Sequence, residues 1–90
     1  MVTISTSAQI ALRSLLPGDR ERVQHLLSML DNFTRDESLR QEAKQLKGEG
    51  LNDLYIIRVD RDLRILFRYS KDDVEILDIM THSRLEKIHG

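Results

Sequence analysis

With 90 residues, 14 Lys plus Arg against 15 Asp plus Glu, and a net charge of −1, the chain is expected to form one domain over residues 1 to 90, since a fold of this size buries only roughly 60–65% of its unfolded surface. Its 40% hydrophobic and 32% charged residues exclude a disordered tail and a membrane span, and the near-neutral balance counts against binding nucleic acid through bulk basicity. The sequence has no cysteine, which excludes disulfides, thiolate zinc sites and cysteine nucleophiles and makes the cytoplasm the expected compartment.

Residues Met1 to Ile10 have neither the basic start nor the apolar run of a signal peptide, so the domain is expected to begin at Val2. Val2-Thr3-Ile4-Ser5 alternates like a short strand. Ala8, Ala11, Leu12, Leu15 and Leu16 then recur at helical spacing, with Ser7 as the expected N-cap and Pro17-Gly18 as the stop. Asp19 is expected to cap a second helix, in which Val23, Leu26, Leu27 and Leu30 form one apolar stripe. A third helical stretch is expected over Glu37 to Leu46, on the spacing of Leu39, Ala43 and Leu46.

At Lys47-Gly48-Glu49-Gly50 the period changes from 3.6 to 2, which predicts a β-meander. Leu54 to Val59 and Leu63 to Tyr69 both alternate. Their apolar faces match if Val59 opposes Leu63 across the loop Asp60-Arg61-Asp62, so that Ile57 faces Ile65 and Tyr55 faces Phe67. A turn at Lys71-Asp72-Asp73 leads into a third strand, Val74 to Thr81, apolar on both faces and therefore expected in the sheet interior. Helices in the first half and antiparallel strands in the second predict an α+β fold, with the helices covering the face of Tyr55, Ile57, Val59, Ile65 and Phe67.

The same register sets Arg58 opposite Arg64 on the uncovered face, with Arg68 further along. The last strand is expected to bring Thr81, His82 or Ser83 beside Arg64. Guanidinium groups bind phosphate in bidentate fashion, and imidazole exchanges a proton near neutrality. Together they suit metal-free phosphodiester cleavage, in which cations stabilise charge on the phosphate oxygens while a base and an acid move protons. Against this stands the ordinary state of arginines on an exposed strand, solvated or paired with acids such as Glu75 or Asp78. His25 and His89 have no metal-ligand spacing, so no metal is expected. Tyr55, Phe67 and Tyr69 are expected to pack in the core.

Lys47-Gly48, Leu54-Tyr55-Ile56-Ile57-Arg58-Val59, Leu63-Arg64-Ile65-Leu66-Phe67-Arg68, Val74-Glu75-Ile76-Leu77-Asp78-Ile79 and His82-Ser83-Arg84 together resemble the RelE/ParE superfamily of type II toxin–antitoxin toxins. The resemblance implies a RelE-like fold, with N-terminal helices on one face of a twisted, mainly antiparallel sheet. It also implies a toxin that cleaves mRNA on the ribosome without metal or cofactor and so inhibits translation. Carried over residue by residue, Arg58, Arg64 and His82 are the implied catalytic residues; Arg68 on the same strand face, Arg84 just beyond His82, and Lys47 are the expected substrate contacts.

The chain departs from that pattern at Ile56, where such members often hold a second basic residue, and in Leu85 to Gly90, which has no tyrosine; His89 is the only substitute there. The ParE-like branch, which inhibits DNA gyrase without catalysis, also ends this strand with histidine and arginine, and an inactive homologue is a third alternative. The implied partners are a cognate antitoxin, contacting the groove of the first two helices and the open sheet face, together with the ribosome and its mRNA or, in the alternative, gyrase. No membrane partner is implied, and homo-oligomers are expected only through the toxin–antitoxin complex.

Overall fold

Strand β1 (Val2–Ile4) gives way to helix α1 (Thr6–Ser14) at Ser5. Ser5 is extended, and its hydroxyl oxygen accepts from the Ala8 amide at 3.1 Å while donating to the Leu77 carbonyl at 2.7 Å. The N-cap is therefore Ser5 and not Ser7, because only a residue outside helical geometry can turn its side chain back on the first free amides. The computed structural model describes residues 1–81; the expectations for His82, Ser83, Arg84 and His89 lie outside the described residues.

Helix α2 (Pro17–Leu30) begins on proline, at the position where a missing amide hydrogen leaves nothing unbonded. Asp19 is not its cap; it sits in the first turn and pairs with Arg22. Arg20 reaches back across the corner to the carbonyls of Leu12, Arg13 and Leu15 at 3.3, 3.1 and 3.1 Å, closing the C-terminus of α1 from outside.

Helix α3 (Glu37–Glu42) is shorter than its spacing predicts. Asp36 caps it, and the Leu39 amide, followed by the Ser38 hydroxyl, holds the Asp36 carboxyl below the usual carboxylate range. At Ala43 the backbone becomes extended (ψ 137), and Lys44–Gln45 forms strand β2 against β3 (Leu54–Arg58). A weak helical preference gives way to the ladder hydrogen bonds that the open edge of β3 offers.

Strands β4 (Leu63–Ser70) and β5 (Asp73–Thr81) complete a five-stranded sheet of order β1-β5-β4-β3-β2, mixed because β1 runs parallel to β5. Every pairing expected between β3 and β4 is present, from Leu54 with Arg68 to Arg58 with Arg64. As expected, β5 has strands on both sides. Its register is not as expected. The hairpin turns through two residues, Lys71-Asp72, with Ser70 opposite Asp73, so Met80 lies opposite Arg64 and Thr81 opposite Leu63. One extra residue in β5, where β4 passes from Leu66 to Phe67, advances the pairing by one; without it Ile79 would face Arg64.

The covered face carries Ile57, Leu63, Ile65 and Phe67, joined in one core by Val74, Ile76 and Ile79 of β5 and by Ala8, Val23, Leu27, Leu30 and Leu39 of the helices. Phe33, between α2 and α3, meets the rings of Tyr55, Phe67 and Tyr69 edge-on, with centroids 5.5, 5.2 and 5.0 Å away. The tyrosines are thus core packing, as expected, and leave the opposite sheet face without an aromatic among the described strands.

Candidate functional site

The Val59 amide bonds the Leu63 carbonyl at 2.9 Å, so the next pair inward, Arg58 and Arg64, is a non-hydrogen-bonded pair. Side chains approach most closely at such pairs, with Cα atoms about 4.5 Å apart. Two like charges there cost from a few tenths up to about 1 kcal/mol unless something offsets them.

The offset comes from the loop between the strands. The Asp60 carbonyl accepts from Arg58 Nε at 3.1 Å and from Arg64 Nη1 at 2.8 Å, and Arg64 Nη1 also lies 3.0 Å from the Leu63 carbonyl. Carbonyl dipoles reduce the repulsion without cancelling the charge. Among the described residues neither arginine has a carboxylate within ion-pair distance. Both keep further N–H groups for a ligand.

The loop is itself held by the Asp60 side chain. Its Oδ1 accepts from the amides of Leu63 and Asp62, each at 2.9 Å, the local turn that a short acidic side chain closes on its own backbone. These two amides, Leu63 first, hold the Asp60 carboxyl below its usual range; burial opposes them, and the charges of Arg22 and Arg64 assist. Arg22 Nε sits 3.5 Å from Asp60 Oδ2 and so ties α2 to the loop.

Arg68 is different. Its guanidinium lies 3.7 Å from Asp53 Oδ2 and 3.6 Å from Glu75 Oε1, so its charge is balanced on both sides. Lys47 stands apart from the arginine pair. β2 runs antiparallel to β3, with Lys44 opposite Ile56 and the Leu46 amide bonding the Leu54 carbonyl at 2.9 Å, which carries the chain away from Arg58. The ladder brings Lys44 to the uncovered face instead. A groove of about 570 Å³ opens on the other side of Arg58, against Leu26 and Met29 of α2, with His25 and Glu42 in its lining.

The structure therefore brings together Arg58 and Arg64, sets Arg68 in an ion-paired cluster, and places Lys47 elsewhere. His82 and Arg84 lie outside the described residues; β5 is described as far as Thr81. Sequence reasoning missed Asp60 and Lys44. The spacing Asp60-Arg61-Asp62-Leu63 was a usable signal, since an Asx turn bonds amides two and three residues on. Lys44 gave none, because its segment reads as helix.

Chemically, two opposed guanidiniums can bind an oxyanion, and the bidentate N–H geometry of each suits a phosphate group. No metal-binding group of three or more His, Cys, Asp or Glu occurs among the described residues.

No protein-family model matches the chain, and no curated protein matches it. Solved structures do. YafQ from E. coli superposes with a TM-score of 0.70 at 12% identity, over 94% of this chain and 96% of that one. A chain of the RelB-RelE antitoxin-toxin complex from Methanococcus jannaschii gives a TM-score of 0.70 at 15% identity, over 98% and 99%. A chain of the YoeB-YefM complex from Staphylococcus aureus gives 0.68 at 18%, over 91% and 95%. At these identities the likeness is one of fold. The protein has the RelE-like α+β fold that its sequence motifs resemble.

Proposed function

We propose that this protein is the toxin of a type II toxin–antitoxin pair and acts as a metal-independent endoribonuclease on ribosome-bound mRNA. The observation that carries this reading is the Arg58–Arg64 pair, two opposed arginines without a carboxylate partner among the described residues, on the open face of a RelE-like sheet. Fold neighbours that include RelE, YafQ and YoeB support it.

In this reading the RNA 2′-oxygen attacks the adjacent phosphorus as its proton passes to a base, the bond to the 5′-oxygen breaks, and an acid protonates the leaving oxygen. Arg58 and Arg64 stabilise the negative charge that builds on the non-bridging oxygens, a contribution of the kind whose loss costs about 10²–10³ in rate. His82, the residue after Thr81, is assigned to one of the two proton transfers. With a net charge of −1, the chain has little long-range attraction for free RNA, so the ribosome supplies most of the affinity.

The partner in this reading is a cognate antitoxin that folds onto the toxin. Ile10 and Leu16, 57% and 72% exposed on and just beyond α1, and Met29 on the rim of the α2 groove are the apolar surface it covers.

Incubation with translating ribosomes, followed by mapping of mRNA ends, tests the reading. New 5′ ends that vanish with Arg64→Ala support it. Intact message together with inhibition of purified gyrase replaces it with the binding-toxin alternative.

A further inference from the structure

The uncovered sheet face is electrically divided. At one end Arg68 is balanced by Asp53 and Glu75, and Asp73 adds an acid at the rim. At the other end Arg58 and Arg64 have, among the described residues, only carbonyl partners. An oligoanion held by the arginine pair is repelled along β4 toward Glu75 and drawn along the face in the other direction, across β3.

Lys44 stands in that direction. Residues directly opposite in an antiparallel pair share a face, so pairing with Ile56 puts Lys44 on the same side as Arg58. Its side chain is exposed and, among the described residues, engaged by no hydrogen bond or ion pair. One strand across and two residues along place its Cα about 8 Å from that of Arg58, within reach of a neighbouring phosphate on a single strand. Between these cations lie the opposed pair Ile56 and Leu66, both half-buried, an apolar floor bordered on the β5 side by Asp78, which pairs with Leu66. The edge strand that carries Lys44 is pinned by the Leu46 amide to Leu54 and by the Gln45 side-chain amide to the Asn52 carbonyl.

We propose that Lys44 binds the phosphate next to the one taken by Arg58 and Arg64, with the intervening nucleoside over Ile56 and Leu66. The face is then a site for single-stranded RNA with two successive phosphates rather than for an isolated phosphate group. The proposal rests on the arginine pair being a phosphate site. Lys44 is a positioning residue; the reacting phosphate belongs to the arginines.

The test is a pair of NMR titrations of the full chain at low salt. One uses inorganic phosphate, the other a single-stranded RNA trinucleotide without terminal phosphates, which carries two. Lys44→Ala is expected to weaken the trinucleotide about threefold to tenfold and to reduce its slope of log affinity against log salt by about 0.7, leaving phosphate unchanged. Lys44→Arg restores both, and Arg64→Ala weakens both ligands. If Lys44→Ala matches wild type in trinucleotide affinity and salt slope while Arg64→Ala loses both ligands, the Lys44 proposal is wrong and the arginine site stands. If neither ligand perturbs Arg58 or Arg64 in the wild type, the arginine reading fails and takes the Lys44 proposal with it.

Discussion

Arg58 and Arg64 oppose each other across β3 and β4, and both guanidiniums bond the same acceptor, the carbonyl oxygen of Asp60. A repulsive pair is thereby fixed in place by the loop that joins its own strands. Whatever holds that loop therefore also sets the geometry of the two cations.

Asp60 should thus carry a pH-dependent share of stability. Its folded pKa is lowered, chiefly by the Leu63 and Asp62 amides, from an ordinary value of 3.8. A depressed carboxyl contributes stability that is present above the unfolded value and lost as pH falls through the folded one. Asp60→Asn keeps an acceptor for the amides but lacks the charge. We expect it to be less stable than wild type at pH 7 by about 0.5–1.5 kcal/mol, with the gap closing below the carboxylate range. Denaturant midpoints of the two proteins from pH 7 to pH 2.5 check this.

The β4–β5 hairpin has a two-residue loop, Lys71-Asp72, with φ of 52 and 68, so two side-chain-bearing residues sit in left-handed geometry. Asp72 gains little in return; its Oδ1 lies 3.4 Å from both the Thr34 and Tyr69 hydroxyls. Asp72→Gly should raise stability by about 1 kcal/mol, since glycine takes this conformation without cost and suits the second position of such a turn. A higher thermal midpoint is the expected readout, and a lower one would show that the hydroxyl contacts outweigh the backbone strain.

Phe33 is 2% exposed and touches three aromatic rings from the segment between α2 and α3. Phe33→Ala should cost about 3–5 kcal/mol in chemical denaturation, and Phe33→Leu distinctly less because most of the volume is kept. Equal losses for the two would mean that ring geometry, not filled space, is what matters there.

Arg68 offers an internal control. Because Asp53 and Glu75 balance it, and exposed pairs are worth about 0–1 kcal/mol, Arg68→Ala should leave the fold intact and reduce any RNA cleavage far less than Arg64→Ala. Parallel rate measurements on the two variants decide it; equal losses would mean that the ion pairs open when the substrate binds.

The parts of the fold that were legible are those where one periodicity dominates. The β3–β4 register followed from matching two alternating faces through a three-residue loop, and it placed Arg58 against Arg64 without any tertiary information. The parts that were not legible depend on a partner remote in sequence. Lys44 and Gln45 leave the helix because β3 offers an edge to pair with, and β1 joins β5 in parallel across more than seventy residues. The tight two-residue loop, with Ser70 opposite Asp73, leaves Met80 in the place expected for Thr81, His82 or Ser83, even after the bulge beside Leu66 and Phe67 advances the pairing by one. A strand apolar on both faces gives no parity by which such a slip can be seen.

Stabilisation of a phosphate by the Arg58–Arg64 pair during RNA cleavage on the ribosome is tested most directly by single-turnover cleavage of mRNA on programmed ribosomes, comparing wild type, Arg64→Ala and Arg58→Ala at matched folding stability. We predict cleavage by the wild type and a loss of about 10²-fold or more in the rate of the chemical step for Arg64→Ala, with mRNA-bound ribosome affinity little changed. Cleavage at wild-type rate by both variants, or a wild type that leaves the message intact, would contradict it.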